Sequence, residues 1–218
     1  MTEDLSNYQY FKPIKGEIID YIADRYDELK KDFFENIIHS SVVTNKPAYK
    51  FPDEVTDLYR GKIISAGLKF SYIAVDQYER EILDWTPGER YRHSYDKFTP
   101  KVTGPWVDFI KKYDHMIEQL HFNMAYPGAT ITPHKGIATS YFRVHICLQE
   151  NQGFHFDIEG EKKQWYEGIE NAFAFDDGKV THGVFYEEKG DPKPRIVAIL
   201  DLKKKFYPDL FQSERNIE

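Results

Sequence analysis

With 218 residues, 41% of them hydrophobic and 30% charged, the chain can bury one sizeable core, which excludes a disordered polymer. A formal net charge of −7 leaves no broad basic surface for phosphate backbones, so nucleic acid is not expected as a partner. Cys147 is the only cysteine, which excludes a disulfide frame and a cysteine-based zinc site and points to a reducing, cytoplasmic setting.

The opening residues, MTEDLSNYQYFKP, carry neither a basic start nor an apolar run, so no signal peptide is expected. No stretch reaches the roughly 18 apolar residues of a membrane span, so no membrane partner is expected. From Gly16 to Ile38, apolar residues at Ile18, Ile19, Ile22, Tyr26, Leu29, Phe33 and Ile37 step by threes and fours, the stripe of an amphipathic helix. Gly61 to Val75 reads as extended, and Asp84 to Thr103 as loop. Within that loop, GERYRHSYDKF (Gly88 to Phe98) reads as an exposed charged segment, although its mixed basic and aromatic residues would also suit a lid. A second helix is predicted to open at Pro105, where a missing N–H costs nothing, with Trp106, Phe109, Ile110, Tyr113, Ile117 and Leu120 as its stripe.

After Leu120 the period changes. Short segments follow one another at His121–Tyr126, Ser140–Gln149, Phe154–Ile158, Lys163–Tyr166, Ala172–Asp176, Gly183–Tyr186 and Arg195–Leu202, separated by turn signals such as Pro127-Gly128 and Asp177-Gly178. Short strands at this spacing predict an all-β core with flanking helices, an antiparallel barrel or jelly roll rather than βαβ units. A single domain over 1–218 is expected, with a helical and extended part, 1–120, packed outside a core at 121–202.

In the strand Tyr141 to Leu148, alternation puts Phe142, Val144, Ile146 and Leu148 on one face and Tyr141, Arg143, His145 and Cys147 on the other. The first face is core; the second turns to water or to the barrel mouth. His134 lies just upstream, His182 follows the turn at Asp176-Asp177, and Arg195 opens the last strand. Inward cations in a small barrel need a partner charge or a bound anion. Two histidines with open positions suit a non-haem Fe(II) site, while a lone histidine after a turn is more often structural, and spacing alone leaves both readings open.

The blocks FNMAYPGATITPHKG, FRVHICL, Trp165 with Gly168, FDDGKVTH and RIVAILDL occur in that order between Phe122 and Leu202. Together they resemble the aspartyl/asparaginyl β-hydroxylase family of Fe(II)- and 2-oxoglutarate-dependent oxygenases. The resemblance implies a cupin-like double-stranded β-helix and a dioxygenase that uses Fe(II), 2-oxoglutarate and O2 to hydroxylate an unactivated C–H bond. It implies that His134 and His182 hold the metal and that Arg195 grips the distal carboxylate of 2-oxoglutarate. Arg143 and His145 would hold the cosubstrate's iron-proximal end, and Asn123 matches the position where the family has a small polar residue near the cosubstrate carboxylate.

Many 2-oxoglutarate oxygenases have His-x-Asp where this chain has His134-Lys135-Gly136, and Gly136 cannot ligate. The resemblance therefore leaves three readings: a hydroxylase with water in that place, a halogenase with chloride there, or a non-catalytic cupin-like binder of a dicarboxylate. Asp176 or Asp177 could replace the carboxylate, but a turn role is the expectation for both. His39, His115 and His121 show no metal-like grouping. The expected substrate is a small polar molecule such as an amino acid, with an Asp/Asn-type side chain of a soluble peptide or protein left open. Neither substrate identity nor oligomeric state follows from the sequence.

Overall fold

The computed structural model describes residues 5–40, 43–44, 59–69, 103–136 and 140–210. Among the described residues three α-helices precede or interrupt the strands: α1 Glu17–Asp24, α2 Tyr26–Glu35 and α3 Pro105–Tyr113. The strands are β1 Lys12–Pro13, β2 Val43–Thr44, β3 Tyr59–Arg60, β4 Ile63–Lys69, β5 Ile117–Ala125 and β6 Thr130–His134. There follow β7 Tyr141–Gln149, β8 Phe154–Ile158, β9 Glu161–Lys163, β10 Phe173–Phe175, β11 His182–Tyr186 and β12 Arg195–Lys203. They form two antiparallel sheets, β1-β10-β7-β12-β5-β4-β2 and β3-β6-β11-β8-β9, which make a jelly roll with helices on the outside of the larger sheet.

The larger sheet has two unlike faces, as strand alternation requires. Leu120, Phe122 and Met124 of β5, Phe142 to Leu148 in steps of two on β7, and Ile196, Ala198, Leu200 and Leu202 of β12 meet the helices. From the helices come Ile18, Ile22, Leu29, Phe33, Trp106, Phe109 and Ile110. The opposite face packs on the smaller sheet through Cys147, Val197, Ile199, Phe156, Phe173 and Phe175. That second interior is where polar side chains intrude.

Several local expectations change. The helix expected over Gly16 to Ile38 breaks at Arg25, whose φ of −126° is not helical and whose guanidinium forks Glu28 at 2.7 and 2.8 Å. The buried stripe survives the break. Helix α3 stops at Tyr113, so Ile117 and Leu120 belong to β5 rather than to the helix; both are buried in the same core cluster. Strand β9 ends at Lys163, leaving Gln164 to Tyr166 outside it. Strand β6 was not anticipated because Pro133 lacks a ladder N–H. A register shift opposite His182 to Val184, where β6 carries one extra residue, admits it. At that shift, a side chain on Gly183 would lie 2.9 Å from the Ile131 carbonyl oxygen, so glycine is needed there. The expected loop Asp84 to Thr103, with Gly88 to Phe98, lies outside the described residues up to 102.

Candidate active site

Three strands of the larger sheet set out the floor of one cavity in rows. The register aligns Asn123 with Val197 and Cys147, then His121 with Ile199 and His145, then Gln119 with Asp201 and Arg143. The smaller sheet supplies the opposite wall, where β6 and β11 place His134 directly across from His182. The cavity is lined by Asn123, His134, Arg143, His145, His182 and Arg195, so the structure brings all six expected site residues together. His121, Phe156 and Phe175 join them.

The two imidazoles lie with ring centroids 4.3 Å apart. Their outer nitrogens are matched: His134 Nδ1 is 2.9 Å from the Thr132 carbonyl oxygen, and His182 Nδ1 is 3.1 Å from that of Val180. A carbonyl only accepts, so each Nδ1 carries a proton, which leaves Nε2 as the nitrogen for a metal ion or a further proton, as in a metal-ligating histidine. Burial, then the neighbouring His182, push His134 down to about 4. Among the described residues no three His, Cys, Asp or Glu side chains are grouped as a metal cage. The candidate centre is a pair.

Asp177 completes its surroundings. Its carboxylate lies 3.2 Å from His182 Nε2 and accepts a 2.7 Å hydrogen bond from Arg143. With Nδ1 already donating, an Nε2 lone pair facing a carboxylate needs a cation between them or beside them, a proton or a metal ion. The backbone brings Asp177 there: Gly136 N–H donates to its carbonyl at 2.8 Å, and a Cβ on Gly136 would fall 1.7 Å from Asp177 Oδ2. The slot read as vacant at Gly136 therefore holds a carboxylate from the turn before β11. The turn role expected of both aspartates belongs to Asp176, whose carbonyl accepts from the N–H groups of Lys179 and Val180.

For Arg143 the partner charges come from the chain itself. Besides Asp177, Arg143 meets Asp201 in a two-pronged pair at 2.8 and 2.9 Å. One guanidinium and two carboxylates leave an excess negative charge if both ionise. Burial disfavours ionisation of Asp177, but the Arg143 charge and the His182 contact win and hold it below the usual carboxylate range. Burial pushes Asp201 up to about 6 against the opposing pull of Arg143. Asp201 escaped notice, although counting in twos from Arg195 puts it on the cavity face.

Arg195 is the contrasting case. It is 1% exposed, its Nη2 donates to Asn123 Oδ1, and its Cζ stands 4.2 Å from the Trp165 ring. Its buried Nε has no hydrogen-bond partner, and among the described residues no carboxylate pairs with it. Burial lowers it to about 10. His121, set aside in the sequence, is pushed down to about 3 by burial and then by Arg143, so it lines the cavity as a neutral ring.

The sequence model of the aspartyl/asparaginyl β-hydroxylase family matches residues 85–205, more than half of the chain. The chain belongs to the aspartyl/asparaginyl β-hydroxylase family. Within this hydroxylase family, the human aspartate beta-hydroxylase domain-containing protein 2 is 33% identical over 89 residues, covering 41% of this chain and 22% of that protein. The mouse protein of that name gives the same identity over 24% of its length. The chain thus matches less than a quarter of the length of these curated relatives. Among solved structures, a Pseudomonas putida prolyl-4-hydroxylase is similar at 14% identity and a TM-score of 0.41, over 92% of this chain and 95% of that one. A Thermotoga maritima predicted oxalate decarboxylase reaches 10% and 0.40, over 76% and 96%. Both are too remote to inform the chemistry of this β-hydroxylase family member. Among the described residues no helix is long and apolar enough to cross a membrane.

Proposed function

We propose that this chain is an Fe(II)- and 2-oxoglutarate-dependent dioxygenase that hydroxylates an unactivated C–H bond of a small polar substrate such as an amino acid. An Asp/Asn-type side chain in a soluble peptide is the other substrate class the site would take. The observation that carries the reading is the buried Arg195, which pairs with no carboxylate among the described residues, in the same cavity as two imidazoles whose Nδ1 atoms are taken up by backbone carbonyls. Such a cavity offers donors to a cation at the histidine pair and to a carboxylate at Arg195.

The donor set fits both ligands. His134 and His182 would hold the metal, with Asp177 supplying compensating negative charge beside it. Arg195, steadied by Asn123, would take the distal carboxylate of 2-oxoglutarate, because a planar guanidinium pairs with a carboxylate through two hydrogen bonds. His145, with Arg143 beyond it, would face the cosubstrate's other end. When bound, iron with 2-oxoglutarate and O2 supplies the oxidation of the C–H bond, and the protein's share is binding, orientation and exclusion of water. Phe156, Phe175 and Ile199 line the cavity with apolar surface that limits water around the metal pair.

The Asp177 carboxylate in the Gly136 slot supports hydroxylation over halogenation, since a chloride there would face a negative charge. The purified protein is expected to release succinate from 2-oxoglutarate only with Fe(II) and O2. 2-Oxoglutarate binding without any iron-dependent succinate would favour a non-catalytic dicarboxylate binder instead.

A further inference from the structure

Three histidines of this cavity have different partners at Nδ1, and that difference sorts them chemically. His134 and His182 face backbone carbonyls, which only accept. His145 Nδ1 faces the indole Nε1 of Trp165 at 3.3 Å. An indole N–H only donates, so His145 Nδ1 must carry the lone pair and its proton sits on Nε2. The ring is enclosed by Phe156, Phe173 and Phe175 at centroid distances of 5.0, 5.4 and 5.2 Å, and it lines the cavity. Burial, then the charges of Arg195 and Arg143, hold it neutral. His145 is therefore a neutral N–H donor toward the cavity, the opposite polarity from the metal pair.

The same indole serves Arg195, whose Cζ lies 4.2 Å from its ring. The cation–π contact holds the guanidinium without neutralising it, leaving its charge for a ligand. Trp165 does not line the cavity, so it acts through these two side chains. Its own place is fixed from behind. Glu150 and Glu167 exchange backbone N–H to carboxylate bonds at 3.3 Å. Tyr26 of α2 accepts from the Gly168 N–H and donates to the Cys147 carbonyl.

We propose that Trp165 is a positioning residue that fixes the Nε2–H tautomer of His145 and the placement of Arg195, so that both donate to the two ends of the anionic cosubstrate. This rests on the reading of 2-oxoglutarate as the cavity's ligand. With the indole N–H removed, the His145 proton can move to Nδ1, and a lone pair would then face the anion.

Trp165→Phe keeps an aromatic ring against Arg195 while removing the indole N–H together with one fused ring, a loss of bulk that the double-variant background below subtracts. Long-range 1H–15N spectra of the imidazoles, recorded without ligand, should show His145 protonated at Nε2 in the wild type and at both nitrogens in turn in Trp165→Phe. Calorimetric titration of 2-oxoglutarate into Mn(II)-loaded protein should show Trp165→Phe binding about three- to tenfold more weakly, the worth of one hydrogen bond. In a His145→Gln background, where the amide donates regardless of the indole, the same substitution should change nothing. A wild-type proton on Nδ1, or equal weakening in both backgrounds, would overturn the proposal. The wild-type spectrum decides the tautomer even where a variant fails to fold. Wild-type protein that binds no 2-oxoglutarate would instead overturn the cosubstrate reading, which the ligand-free spectrum tells apart.

Discussion

At the scale of single residues, the two arginines of the cavity show how burial and pairing decide function. Arg143 has its charge matched by Asp177 and Asp201 and belongs to the site's framework. Arg195 is more deeply buried, and among the described residues an amide and the rings of Trp165 and Phe154, but no carboxylate, stand beside it. A charge held that way carries a desolvation cost that a bound carboxylate would offset. Arg195→Gln is therefore expected to raise the 2-oxoglutarate requirement at least tenfold, since losing one member of a buried charged pair costs ~2–5 kcal/mol. Titration of succinate release against 2-oxoglutarate checks it, and an unaltered requirement would remove Arg195 from that role. Both arginines were legible from strand alternation, but their difference was not. It depends on Asp201, 58 positions from Arg143 along the chain, and no local pattern announces that contact.

At the scale of elements, the site is made where β6, β11 and the turn before β11 meet. The sequence made β11 legible to within one residue and β12 to within one, because each is an apolar run bounded by turn signals. It hid β6, because a proline interrupts it and its pairing relies on Gly183 in another strand. It also suggested a gap at Gly136, since which group fills a glycine's empty side is a tertiary matter. The structure answers with Asp177, and Gly136→Ala tests that answer. An added methyl would displace the carboxylate, with backbone of the same residue 3.1 Å away limiting the adjustment. Iron affinity is expected to fall at least tenfold, while Arg143 loses one of its two carboxylates. Anaerobic Fe(II) titration reads the loss, and unchanged affinity would mean that Asp177 contributes nothing to the centre.

At the scale of the whole molecule, one sheet separates two interiors of different character. The helix-side interior is mostly apolar, with Asp32 tied to the Trp106 N–H as its buried carboxylate, and it supplies stability. The inter-sheet space mixes rings with neutral histidines and paired carboxylates, and pH acts there. His121, lowered to about 3, and His145, lowered well below its ordinary value, stay neutral when folded but take protons when unfolded below about 6.5. Their contribution is complete above that pH and is lost as pH falls toward 3. Asp201, raised to about 6, works the other way, stabilising below about 3.8 and losing that as pH rises through 6. With His134 and Asp177 lowered in the same sense, these groups outweigh the one raised carboxylate, so the metal-free protein should melt on the order of 5 °C lower at pH 4.5 than at pH 7. Scanning calorimetry in matched ionic strength measures this, and a melting point that rises on acidification would contradict the buried neutral rings.

The central claim is that His134 and His182 together hold one ferrous ion. Anaerobic equilibrium dialysis against Fe(II), with metal counted per folded chain, tests it for the wild type, His134→Ala and His182→Ala. The expected result is one ion per wild-type chain and none retained by either variant at the same free iron, with both variants keeping the wild-type circular dichroism. One ion per chain in both variants would contradict the account.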